Sequence, residues 1–121
     1  MTKSPPAMSN GERILRTWRV NYGEKNRTNG DLYLTSRRLI LIPTRYFGVG
    51  GNAREWAASE IKAVDISPRD KGVRGLRNHS LRRRLTFFCA NGRTEYFVVA
   101  DVDRVCTEIR AALAEHSAFE G

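Results

Sequence analysis

Histidine and cysteine are scarce in this chain of 121 residues: His79 and His116, Cys89 and Cys106, and no others. Neither histidine has a metal-ligand partner at useful spacing, and the cysteines form no CxxC or CxxxH pattern, so no metal site is expected. Both cysteines read as buried thiols of a reducing compartment ahead of a structural disulfide. His79 and Ser80 are sequence neighbours, which does not make a catalytic dyad, and no carboxylate pair stands out; the expectation is a protein without enzymatic activity or cofactor. Long apolar runs are missing too. The longest span four or five residues, against the ~20 of a membrane-spanning helix. Met1 to Asn10 has no hydrophobic stretch typical of a signal peptide, so the expected location is cytoplasmic. Acids are the last shortage: 13 Asp and Glu face 21 Lys and Arg, giving a net charge of +8 and a pI near 10.2. Such a balance calls for an acidic partner.

What is present points to one domain, since 121 residues suffice to bury roughly two thirds of the unfolded surface around a single core. Hydrophobic content of 40% and charged content of 28% match an ordinary globular protein. The organising stretch is Gly30 to Ile42, GDLYLTSRRLILI. Leu32 and Leu34 alternate with Asp31, Tyr33 and Thr35, as in a half-buried strand. Leu39 to Ile42 run unbroken, as in a strand covered on both faces, with Ser36, Arg37 and Arg38 between. This is a β-hairpin, and Pro43 ends it.

Residues 1 to 10 carry Pro5 and Pro6 without periodicity and read as a mobile tail. Ile14, Trp18, Val20 and Tyr22 share one parity and define a first strand, and residues 21 to 30 form a polar link carrying Lys25 and Arg27. After Pro43, PTRYFGVGGNAR is a glycine-rich connection that lacks the lysine and the helix of a phosphate loop; its Tyr46 and Phe47 suit a membrane or partner contact. Trp56 anchors a short fourth strand. Ile61, Val64 and Ile66 mark a fifth, with a bulge or turn at its start. Leu85, Phe87 and Cys89 alternate into Asn91-Gly92, the strongest hairpin signal in the chain. A two-residue loop there puts Tyr96 and Val98 on the face of Phe87; a three-residue loop with Gly92 left-handed puts Phe97 and Val99 there. Finally Val102, Val105, Cys106, Ile109, Ala112 and Leu113 recur at helical spacing behind Asp101, a fit N-cap. The stripe Val102, Val105, Ile109 and Leu113 should pack on Leu32, Leu34 or the Phe87 strand, leaving Asp103 and Glu108 exposed.

After the fifth strand comes SPRDKGVRGLRNHSLRRR, residues 67 to 84, with strand entry only from Leu81 onwards. Seven of its residues are basic (Arg69, Lys71, Arg74, Arg77, Arg82, Arg83, Arg84) and one is acidic, Asp70. Pro68, Gly72 and Gly75 make most of it a loop. Crowded like charges gain nothing unless an anion neutralises them. In a strand, Arg82 and Arg84 share one face while Arg83 points to the other, so Arg83 is the structural residue, its guanidinium meeting an acid or its stem covering apolar surface.

Gly11-Glu12, GDLYLTSRRLIL at 30 to 41, EIKAVDI at 60 to 66 and NGRTEYFVV at 91 to 99 together resemble a GRAM domain of the pleckstrin-homology-like (PH-like) superfamily. The resemblance covers about residues 11 to 114 and is most specific in the Gly-x-Leu-Tyr-Leu-Thr-x-x-Arg-Leu run. It implies a mainly β fold: a β-sandwich or open barrel of about seven antiparallel strands closed by one C-terminal helix. Residues 1 to 10 would be a tail, 11 to 116 the domain, and 117 to 121 a short second tail. Such domains are adaptors, many binding phosphoinositides or other anionic lipids. The expected site is therefore an anion-binding surface of Arg69, Lys71, Arg74, Arg77, Arg82 and Arg84 with Lys25 and Arg27, meeting anionic lipid at the inner membrane face. Nucleic acid is the alternative partner, and a protein partner or a homo-oligomer a third.

Overall fold

The computed structural model describes residues 7–23, 28–44, 53–68 and 83–120. Seven strands come first: β1 (Ile14–Tyr22), β2 (Thr28–Thr35), β3 (Arg38–Pro43), β4 (Arg54–Ala57), β5 (Ile61–Pro68), β6 (Arg83–Cys89) and β7 (Thr94–Val99). Helix α1 (Val102–Glu120) closes the chain. All neighbouring strands are antiparallel, in the order β4-β3-β2-β1-β7-β6-β5. The fold is mainly β, with one C-terminal helix.

This sheet must curl. β4 and β6 are separated by five strand spacings, about 24 Å in a flat sheet. Yet the Trp56 ring on β4 lies 5.9 Å from Phe87 on β6 and 5.7 Å from Phe97 on β7, edge on to both. The chain also passes from one sheet edge to the other in a single helical turn, Ala58–Glu60, between Ala57 of β4 and Ile61 of β5. Wrapping the sheet over itself turns the alternate residues Leu32, Leu34, Leu39, Leu41, Leu85, Phe87 and Phe97 into one core.

The organising hairpin forms as its periodicity demands. β2 and β3 pair from Gly30 with Pro43 to Leu34 with Leu39, and only Ser36 and Arg37 turn the chain. β2 starts earlier than the hydrophobic pattern reveals, because Thr28, Asn29 and Gly30, in the stretch expected to be a polar link, pair with Tyr22, Asn21 and Val20 of β1. Gly30 is fixed by contact: a Cβ there would come within 2.7 Å of the Ile42 carbonyl oxygen. Ile42 itself is only part-buried, so β3 is not covered on both faces along its whole length.

Two bulges set the faces. On β5 the register shifts between Ile61 and Ala63, as the three-residue step from Ile61 to Val64 foretold. On β1 it shifts between Ile14 and Arg16. The extra residue breaks the parity expected from Ile14 onward, so Ile14 and Leu15 are 39% and 37% exposed while Val20 is buried. The β6–β7 hairpin takes the three-residue alternative. Gly92 has φ +88° and Asn91 Oδ1 accepts the Arg93 N–H at 2.9 Å, which pairs Leu85 with Phe97 and puts both in the core.

Helix α1 packs on β5, β6 and β7. Val105 and Ile109 are buried, while Val102 and Leu113 pack on the core half-covered. The helix lies against the Phe87 strand as expected, and against β5 beside it. Glu108 departs from expectation: it is half-buried, because it turns toward Arg16 at 3.6 Å. The helix also runs through 117–120, the segment read as a tail, as its alanine-rich sequence permits. Asp101 does precede it, with its carbonyl accepting the Val105 N–H at 3.1 Å, but it sits at φ 58° and its carboxylate turns to Arg104. Cys89 and Cys106 are buried free thiols, and burial pushes both upward in pKa.

Candidate functional site

Among the residues expected to bind an anion, Arg69, Lys71, Arg74, Arg77, Arg82, Lys25 and Arg27 lie outside the described residues, as do Tyr46 and Phe47. Arg84 is described, and so is Arg83 beside it. The two arginines divide as the strand pattern requires. Arg83 Nη1 and Nη2 donate to both carboxylate oxygens of Asp103 on α1, at 3.0 and 2.8 Å. Arg84 lies over the ring of Tyr96, 4.1 Å from its centroid, a cation–π contact that also covers the aromatic face. Arg83 is therefore structural, tying the start of β6 to the start of α1.

The strand ends that flank the two basic segments face opposite ways. Pro68 pairs with Arg83, so residues 69 to 82 are bounded by the Arg83 end of β6. Tyr22 pairs with Thr28 on one side and Phe97 on the other, and Phe97 pairs with Leu85. β1 runs parallel to β6 across β7, so it leaves toward Cys89, away from Arg83. The segment that carries Lys25 and Arg27 is thus bounded by the paired Tyr22 and Thr28, and residues 69 to 82 by the paired Pro68 and Arg83.

Charge within the framework is close to balanced. In residues 7–23, 28–44, 53–67 and 83–116 there are twelve Arg and Lys against ten Asp and Glu, leaving six of the eight net charges on the other segments. The framework acids are largely engaged already. Glu12 and Glu55 bond Arg38, Asp31 meets Arg19 at 3.5 Å, and Asp65 meets Arg110 at 3.0 Å. Asp101, Asp103 and Glu108 hold Arg104, Arg83 and Arg16. Glu95 accepts from the Tyr22 hydroxyl at 2.5 Å, which, after burial itself, pushes the phenol up to about 12. Glu60 accepts the Ala57 N–H.

The most distinctive motif in the sequence has a structural explanation. Glu12 is fully buried, and Arg38 donates to it through Nε at 2.8 Å and Nη2 at 3.0 Å. Thr35 Oγ1 donates to the same carboxylate at 2.5 Å and accepts the amides of Arg37 and Arg38. The Ser9 amide completes the shell at 2.9 Å. With so many donors, Arg38 foremost, the carboxyl is held at about 2 against an ordinary 4.5. Thr35-x-x-Arg38 and Gly11-Glu12, far apart in sequence, are two halves of one clasp. It also takes in residues 7 and 9 of the expected tail, since Arg38 Nη2 donates to the Ala7 carbonyl at 2.7 Å. The sequence pattern alone could not show this, because a buried carboxylate and its partners carry no periodicity.

No family model matches the sequence, and no curated protein matches it. Solved structures do resemble the fold, among them the two that follow. The C-terminal domain of an unknown protein from Leishmania infantum superposes with a TM-score of 0.63 at 18% identity, covering 87% of each chain. The hSac2 domain from the human phosphoinositide phosphatase Sac2 gives a TM-score of 0.63 at 11% identity, over 94% of this chain and 75% of that one. This chain shares its fold with both domains. At such identities the likeness extends to architecture and no further. Among the described residues no helix is long and apolar enough to cross a membrane.

Proposed function

We propose that this chain is a non-catalytic interaction module of the GRAM type that docks reversibly on anionic phospholipid headgroups at the inner membrane leaflet. The contact is made by Arg69, Lys71, Arg74, Arg77 and Arg82. One observation carries the reading: nine of the ten framework carboxylates are already engaged by framework partners, while most of the net charge lies on the remaining segments. Cations in excess of the acids available to them are left for an external anion. Lys25 and Arg27 extend the proposed surface, and Arg84, held over Tyr96, borders it. The Arg83 to Asp103 tie anchors one end of the segment. The lipid context of the human hSac2 domain, part of a phosphoinositide phosphatase, agrees with the proposal at the level of fold.

At ~1 kcal/mol per basic residue near an anionic bilayer, five residues give several kcal/mol, enough for reversible recruitment. Sedimentation with neutral and anionic vesicles tests this. Binding only to anionic vesicles, weakened by salt and abolished by replacing Arg69, Lys71, Arg74 and Arg77 with Ser, is the expected result. Equal binding to both vesicles, or none, overturns it. Tight oligonucleotide binding without vesicle binding would instead identify a nucleic-acid partner.

A further inference from the structure

A different basic feature lies where the second half of α1 meets the start of β1 and the β2–β3 turn. A cleft of about 610 Å³ is lined by Arg13, Leu15, Ser36 and Arg37, among others, on the sheet side and by Ala112, Glu115 and His116 on the helix. Arg13 and Arg37 stand out by what they lack. Eight of the twelve framework cations are held by a carboxylate or an aromatic ring: Arg16, Arg19, Arg38, Arg54, Arg83, Arg84, Arg104 and Arg110. Arg13 and Arg37 make no ion pair with a carboxylate among the described residues, and both line this one cleft.

The backbone that carries them is fixed. The Ser36 amide donates to the Arg13 carbonyl at 2.9 Å, and the Arg13 amide donates to Ser36 Oγ at 3.1 Å. Thr35 Oγ1 holds the Arg37 amide at 3.1 Å and is itself bound into the buried Glu12 clasp. Only side-chain rotamers remain to be ordered when a ligand arrives, which lowers the cost of binding. Ser36 Oγ accepts from Arg13 and keeps its own proton to donate. Leu15, exposed by the β1 bulge, and Ala112 add an apolar wall.

We infer that this cleft binds a phosphate group, free or as a monoester, with Arg13 and Arg37 supplying the charge-assisted donors and Ser36 a neutral one. Guanidinium groups match the oxygens of phosphate bidentately. Glu115 opposes the ligand and keeps the affinity modest. The site does not depend on residues 69 to 82, so the two proposals succeed or fail separately.

The test is titration of the ¹⁵N-labelled full chain with sodium phosphate, followed by NMR, against sodium chloride at equal ionic strength. Saturable shifts at the Ser36 and Arg37 amides and at the Arg13 and Arg37 side-chain Nε–H groups, given by phosphate and not by chloride, are expected. Arg13→Gln and Arg37→Gln should each weaken binding about tenfold, the loss of one charged hydrogen bond. Glu115→Gln should tighten it about threefold, by removing a like charge. All three residues are exposed, and unchanged amide dispersion confirms that the variants fold. Replacing Arg69, Lys71, Arg74 and Arg77 with Ser should leave these shifts unchanged. A soluble inositol phosphate that saturates the site as well as phosphoinositide vesicles do identifies a free phosphate ligand; saturation by the vesicles alone identifies a lipid headgroup. Equal shifts in chloride, or shifts indifferent to both arginine variants, overturn the inference.

Discussion

Two arginine–carboxylate pairs in this molecule have nearly the same geometry and opposite surroundings. Arg38 meets Glu12 at 2.8 and 3.0 Å, and Arg83 meets Asp103 at 2.8 and 3.0 Å. The Glu12 side chain is 0% exposed and that of Arg38 19%; the second pair stands at 54% and 69%. Hydrogen-bond geometry therefore does not rank them. In the clasp, water cannot replace a lost partner, whereas around Arg83 and Asp103 it can. One pair holds the fold, and the other merely favours the approach of β6 to α1.

Four experiments press on that difference. The largest effect should come from Arg38→Ala, which leaves the buried Glu12 carboxylate without its main donor: a loss of about 3 to 5 kcal/mol in urea denaturation. A change below 1 kcal/mol would mean that water enters the clasp. Next is Ile109→Ala, at about 2 to 5 kcal/mol, since Ile109 is wholly buried on the inner face of α1. It calibrates apolar packing against the polar clasp. A small loss would place the helix elsewhere.

Acid is the third probe. The Glu12 carboxyl titrates near 2 in the folded protein because Arg38, then Thr35 and Ser9, bond its charged form more strongly than burial opposes it. A lowered folded pKa contributes stability that is complete above the ordinary 4.5 and is lost as pH falls from there through about 2. Glu12→Gln should flatten this acid limb, and a limb of unchanged slope would assign it to other carboxylates. The smallest effect belongs to Asp103→Asn. It should leave the denaturation midpoint almost unmoved, with any difference from wild type vanishing in high salt. A shift as large as that of Arg38→Ala would make the two pairs equivalent after all.

Much of the fold was legible in particular residues. Alternation at Leu32 and Leu34 and the run at Leu39 marked the β2–β3 hairpin, and the Ile61 to Val64 step marked a bulge that is there. The helical stripe through Val105 and Ile109 is the one that is buried. Misreadings occurred where an irregularity changes the meaning of parity. Ile14 was read as inward, but the bulge at the next residue exposes it. Glu108 was read as solvated until α1 was set beside Arg16. In the candidate site, the division of Arg83 from Arg84 followed from strand geometry. Which acid Arg83 meets did not, because it depends on how α1 docks beside β6.

Local pattern thus determined, with no help from structure, which segments become strands, which becomes the helix, which faces of β2, β3 and α1 turn inward, and that positive charge gathers between β5 and β6. These follow from the periods of strand and helix and from the need to bury apolar side chains. Three things belonged to tertiary structure: the curl that sets Trp56 on Phe87, the Asn91-Gly92 hairpin register, and the meeting of Glu12 with Thr35 and Arg38. The last two show why. A turn compatible with two registers is decided by which ring fills the core, and a buried carboxylate finds its partners only when distant segments have already been brought together.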